Sequence, residues 1–246
     1  MKKAILSTAL LSAVFLGSIQ VASAAEVKQE KTPVGIEFEK ITGQGEGPFK
    51  GALSLTYKPS ALDFGKFKSG GAFIDAAAVN ISDDNKQWLI INDDRDYPAP
   101  TTGDTADGKG GTWELTAKMS DLKDASGKTL PTKLTMNFGG IQNYNMGTEV
   151  NPETGDYIPN NPNDTGVVKP FEEGKAPKVD LTSAVTLEAG KLDTEVKVMT
   201  KKEATSEKMG GVASQLTSAN LNVQNKGYEG GKLSSEITWT LSTGIK

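Results

Sequence analysis

Apolar and polar residues alternate with a period of two through most of this chain. Leu53, Leu55 and Tyr57 alternate with Ser54 and Thr56, and Trp113, Leu115, Ala117 and Met119 with Glu114, Thr116 and Lys118. Leu134, Met136 and Phe138 alternate with Thr135 and Asn137, and the pattern returns at Val185-Leu187-Ala189, Val196-Val198, Leu221-Val223 and Ile237-Trp239-Leu241. Successive side chains of a strand point to opposite faces, so this pattern predicts strands with one buried and one wetted face, the habit of antiparallel sheets. The run Gln87-Trp88-Leu89-Ile90-Ile91 is more uniformly apolar and predicts a central strand. Helical periodicity is scarce. Ala72 to Val79 is its best candidate, but Gly70-Gly71 before it and Asn80 after it leave helix and strand both open. About ten short strands between Gly, Pro, Asn and Asp clusters predict an all-β fold. The expected form is a single antiparallel β-sandwich or barrel-like domain.

Two long irregular stretches interrupt the strands. One, residues 92–111, holds Asp93, Asp94, Asp96, Asp104 and Asp107 with Pro98 and Pro100; the other, residues 141–178, holds Pro152, Pro159, Pro162, Pro170 and Pro177 among Asn and Gly. Loops of this length are usually functional or disordered. An interdomain linker at the second is disfavoured, because the strands on either side look too few for independent cores.

The first 24 residues change the compartment. Lys2 and Lys3 precede an uncharged apolar run from Ala4 to Ile19, and Ala22-Ser23-Ala24 fits a small-residue cleavage site. This pattern predicts an export signal over residues 1–24, with the domain occupying 25–246. Removing Lys2 and Lys3 from 27 basic residues leaves 25 against 31 acidic ones, net −6. No second stretch of membrane length follows, so a soluble mature protein is expected. The end, Leu241-Ser242-Thr243-Gly244-Ile245-Lys246, carries neither an apolar tail nor an LPxTG-like sorting signal. Retention at a cell surface would then be non-covalent or through a partner.

Composition narrows the chemistry further. Among 246 residues there is no histidine and no cysteine. Disulfides, Cys or His metal ligands, Ser-His-Asp triads and Cys-His pairs are excluded. The acidic balance argues against a nucleic-acid partner, which needs a basic face. Asp104-Thr105-Ala106-Asp107-Gly108 fails the calcium-loop pattern at its third position, and Arg95 interrupts Asn92-Asp93-Asp94-Arg95-Asp96. A solvated acidic loop is the simpler reading, and no metal or cofactor is expected. A carboxylate-only hydrolase needs no histidine, but 31 acidic residues make any pair unspecific.

The most distinctive signal is a repeated tripeptide. Trp113-Glu114-Leu115 and Trp239-Thr240-Leu241 share the form W-x-L, each preceded by Thr (Thr112, Thr238) and followed by Thr116 or Ser242. Residues i and i+2 of a strand share a face, so each motif makes one Trp–Leu patch, and adjacent strands would merge the two. Two readings stay open. The pairs are core, the usual fate of alternating apolar residues, or the indoles line a shallow surface on which sugars or a partner's apolar residues stack.

At these residues the chain resembles the WxL-domain surface proteins of low-GC Gram-positive bacteria. The resemblance covers the export signal, Leu62 to Gly65, the Asp94-Arg95 pair, Gly111 to Ala117 and Ile237 to Ser242, in order. Where the family's terminal motif usually has a Tyr, this chain has Leu233, with Tyr228 upstream; the expected proline after the final Leu is missing. The resemblance implies an exported protein held non-covalently at the cell wall, binding peptidoglycan, without enzymatic activity. It also implies a membrane-anchored companion surface protein as partner and, for some members, host matrix proteins. The residues carried over as ligand-binding candidates are Trp113, Leu115, Trp239 and Leu241. The alternative function is a protein–protein module or matrix adhesin in which the W-x-L residues are structural.

Overall fold

The computed structural model describes residues 27–35, 53–68, 71–93, 112–153, 158–202, 210–225 and 227–243. The expected export signal, the Asp94-Arg95 pair and nearly all of the acidic stretch lie outside these residues. Among them there are sixteen strands and no helix. In chain order they are β1 (Val27–Gly35), β2 (Leu53–Tyr57), β3 (Leu62–Asp63), β4 (Phe73–Ala77), β5 (Gln87–Asp93) and β6 (Trp113–Met119). There follow β7 (Leu122–Lys123), β8 (Thr129–Leu130), β9 (Thr132–Phe138), β10 (Gln142–Tyr144) and β11 (Val168–Lys169). The last are β12 (Val179–Leu181), β13 (Ala184–Glu188), β14 (Val196–Lys201), β15 (Gly210–Gln224) and β16 (Ser234–Thr243).

The strands form two sheets. The first runs β12-β14-β6-β16-β1-β3, with β7 joining β16 to β8. The second runs β11-β10-β15-β5-β2, and the long β15 also carries β4 and β9, the latter bordered by β13. Pairing is antiparallel throughout except between β1 and β3, which run parallel. The helix-or-strand ambiguity at Ala72 to Val79 resolves as strand: β4 pairs with residues 220–224 of β15, which satisfies its backbone across the sheet.

Inward positions of both sheets interlock in one core. Leu115, Ala117 and Met119 from β6 and Ile237, Trp239 and Leu241 from β16 meet Leu89 and Ile91 of β5, Leu134 and Met136 of β9 and Leu216 and Leu221 of β15. Each buried Leu, Ile or Met among them contributes roughly 1.5–3 kcal/mol by leaving water. Alternation is cleanest in β9 and β13, whose large apolar residues are buried while Lys133, Ala184, Thr186 and Glu188 are exposed. Strand β5 behaves differently, with all seven residues buried. Leu89 and Ile91 enter the main core; Trp88 and Ile90 enter a second cluster with Tyr144 and Ala213.

That second cluster explains the proline-rich stretch. The expected irregular loop from 141 to 178 carries the short strands β10 and β11, and β10 pairs with residues 211–213 of β15. Residues 158–168 then form a strap over the outer side of the second sheet, with Val167, Val168 and Met146 packed against the cluster. A strand buried on both faces needs cover on both, and the strap supplies it.

Candidate functional site

The two W-x-L strands are neighbours. Strands β6 and β16 pair so that Leu115 opposes Leu241, Ala117 opposes Trp239 and Thr243 opposes Trp113. The small Ala117 beside Trp239 leaves room for an indole within the row. On the far side of β6, Met199 opposes Leu115 and Lys201 opposes Trp113. Trp113, Leu115 and Trp239 have no exposed surface and Leu241 is 1% exposed. All four expected ligand-binding side chains therefore lie in the interior. Their patches do merge across the pair of strands, and the merged surface faces the second sheet. Among the described residues, the Trp113 Nε1 and the Thr112 hydroxyl have no hydrogen-bond partner.

The middle residues of the motifs sit on the other face. Glu114 opposes Ser242, Thr116 opposes Thr240 and Lys118 opposes Thr238. The Glu195 carboxylate reaches across both strands. It accepts hydrogen bonds from the Thr116 hydroxyl at 2.6 Å and the Thr240 hydroxyl at 3.4 Å, with the Lys118 ammonium 3.5 Å away. Lys197 pairs with Glu114, which also accepts from the Thr200 hydroxyl. This face is a satisfied polar ladder that ties β6 to β16 and β14.

On the second sheet the strap meets three aromatic side chains by their polar tips. The Trp88 indole N–H donates to Asn163 Oδ1 at 2.8 Å. The Tyr144 and Tyr57 hydroxyls both donate to the Asn160 carbonyl, at 2.7 and 3.1 Å. The two phenol rings meet edge to face at 6.1 Å. Burial pushes both phenols above the ordinary tyrosine range, Tyr144 furthest, with the Tyr57 charge as its second cause. These groups are structural donors, held protonated chiefly by their burial.

Two depressions flank the strap. The larger, about 400 Å³, lies among Gly139, Gly140, Ile141, Gln142, Pro170, Phe171, Ala176, Gln215 and Thr217. The other, about 330 Å³, is lined by Asn92, Asn143, Tyr144, Asn145, Met146, Gly147, Lys169 and Gly211. Among the described residues, no group of three or more acidic side chains is placed to hold a metal ion.

The family model for the WxL domain, described as surface cell wall-binding, matches residues 30–244. The chain belongs to the WxL family. No curated protein and no solved structure matched it. The match spans both sheets and the strap, so the whole two-sheet body is the WxL domain's territory. Leu233, standing at the family's usual Tyr position, is buried in the main core, and so is Tyr228 upstream of it.

For this WxL domain, sequence reasoning located the motif strands and left their adjacency open; the pairing of β6 with β16 supplies it, and Tyr57, Trp88, Tyr144 and the strap residues that hold them were not found as a site. One signal was available. Gln87 to Ile91 is apolar at consecutive positions, which demands cover on two faces, and residues 141–178 were the longest stretch without an assigned partner.

Proposed function

We propose that the protein is exported and associates non-covalently with peptidoglycan through this domain, as a binding and scaffolding component rather than a catalyst. The W-x-L side chains build the interior that holds the two sheets together, and the wall is met by outward-facing residues. The observation that carries this division of labour is the burial of Trp113, Leu115, Trp239 and Leu241 in a chain matching a surface cell wall-binding family. An indole with no exposed surface cannot stack on a sugar without opening the core, at a cost of several kcal/mol.

The leader pattern of residues 1–24 supports export. Family membership makes a membrane-anchored companion protein and host matrix proteins the partners to test first. The test of wall association is sedimentation: purified protein should pellet with isolated sacculi and release no soluble muropeptides. Protein that stays in the supernatant at every salt concentration would overturn the reading.

The same burial supports a second reading, a protein–protein module of a surface complex with a structural W-x-L core. Capture of a surface protein by a chain that ignores sacculi would favour it.

A further inference from the structure

Pairing with β15 satisfies the backbone of β4 along one edge and leaves the other edge open. The Ala78 N–H donates to the Ala219 carbonyl, and the Asn225 N–H donates to the Ala72 carbonyl. In the register of this antiparallel pair, the bonded positions are therefore Ala72, Ile74, Ala76 and Ala78. The N–H and C=O groups of Phe73, Asp75 and Ala77 point the other way, and among the described residues they have no hydrogen-bond partner. The chain makes only a start along this edge. The Val79 N–H donates to the Asp63 carbonyl at 2.7 Å. Gly65, with φ +78°, then turns the backbone, and Lys66, Phe67 and Lys68 are exposed and make no hydrogen bond to β4. By contrast β3, β11 and β12 span two or three residues each, and β2 is buried along nearly its whole length.

The side chains beside the open edge complete the picture. Ile74 and Ala76 take the core side of β4, so Phe73, Asp75 and Ala77 face solvent. Phe73 is 67% exposed, and with Phe67 and Val79 it makes three of the six large apolar residues exposed among the described ones. An added strand needs open backbone groups for its main-chain bonds and accessible side chains at alternate positions for its selectivity. Asp75 decides what kind of strand is favoured. The two-fold register that would pair all three open residues with a second copy sets Asp75 against Asp75, and like charges directly opposite are unfavourable. A cation at that place is favourable instead.

We propose that the open edge of β4, at Phe73, Asp75 and Ala77, takes up an extended segment of another protein as an added strand, with apolar residues beside Phe73 and Ala77 and a Lys or Arg opposite Asp75. The backbone of the three residues supplies the bonds, and the aspartate selects the partner by charge. This is a protein-binding surface beyond the wall-binding reading, and it does not depend on that reading.

The probe is a capped synthetic peptide that alternates threonine with valine and carries lysine at its centre; its control carries glutamate there. Amide hydrogen exchange, followed by nuclear magnetic resonance on the purified protein with millimolar peptide, should slow at Phe73, Asp75 and Ala77. It should stay unchanged at Ile74 and Ala76, which already bond to β15. The lysine peptide should bind about fivefold more tightly than the glutamate one, from one attraction gained and one repulsion avoided across the strand pair. Asp75→Lys should reverse that order. Asp75→Pro removes the middle donor of the open edge and no bond to β15, so it should fold and bind the lysine peptide about threefold to tenfold more weakly. Unchanged exchange at the three amides, or a peptide preference that Asp75→Lys leaves as it was, would overturn the proposal. Slow exchange at all three in the free protein would show an edge already covered by its own chain, and would overturn it too. A dimer in light scattering that Asp75→Pro dissolves would give the edge to a second copy, against the assignment to another protein. Asp75→Lys should pellet with sacculi as the wild-type protein does; its loss from the pellet, in a folded protein, would make the edge a wall contact and overturn the protein-partner assignment.

Discussion

Leu115 and Leu241 oppose one another across β6 and β16, so the two W-x-L motifs meet through their third residues in the middle of the first sheet. The motif is therefore a pairing device as much as a recognition signature. The two W-x-L motifs, distant in sequence, join the central strands of the sheet in antiparallel register.

Truncating either leucine to alanine should destabilise the protein by about 2–5 kcal/mol, the range for buried Leu→Ala changes. Because the two touch one row, the double variant should lose less than the sum of the singles, with a coupling of about 0.5–3 kcal/mol. Urea denaturation of the four proteins measures this. Strict additivity would mean that the leucines pack independently.

Intrinsic fluorescence gives a quick check on burial. Trp88 is 7% exposed and Trp113 and Trp239 are fully enclosed. All three indoles should resist acrylamide and emit at short wavelength in the native state. An indole quenched as readily as free tryptophan would contradict the packing.

The strap should respond to small changes at its anchors. Trp88→Phe removes the donor to Asn163 and keeps an aromatic ring, so it should cost about 0.5–1.5 kcal/mol. Hydrogen exchange should quicken between residues 158 and 168 while β6 and β16 keep their protection. Uniform loss of protection would show that the strap and the main core unfold as one unit.

Alkaline pH should loosen the same region. Burial raises the Tyr57 and Tyr144 phenols above their ordinary value of 10.0, so the folded state holds both protons after the unfolded chain has begun to release them. The unfolded state then binds fewer protons, and stability falls as pH rises. The contribution of these phenols is fully present below about pH 10 and is lost above it. Absorbance at 295 nm should show at least two of the five tyrosines ionising late, together with unfolding.

How much of this was legible in the sequence depends on how each residue is buried. Strands with one wetted face, such as β9 and β13, announce themselves by alternation. The adjacency of the W-x-L strands was not announced in this way: the sequence says only that side-by-side strands would merge their patches, and the pairing of β6 with β16 supplies the placement. Strand β15 was half hidden, because Ser214, Gln215, Thr217, Ser218, Asn220 and Asn222 are polar and only Leu221-Val223 shows an apolar alternation; its order comes from pairing on both edges. The strap was illegible for another reason. Pro159 and Pro162 give no periodicity, and its anchors are a backbone carbonyl at Asn160 and an amide at Asn163. Whether a tryptophan is core or platform cannot be read from alternation, which places it on a face without saying what covers that face.

The most direct measurement is sacculus sedimentation of a Trp113→Phe protein. Trp113 Nε1 has no hydrogen-bond partner among the described residues, so phenylalanine forfeits packing area and no described hydrogen bond, and the variant should fold. With its melting temperature and circular dichroism recorded, it should pellet with sacculi as the wild-type protein does. A folded Trp113→Phe protein that stays in the supernatant would mean that the W-x-L indole meets the wall itself, against its place in the core.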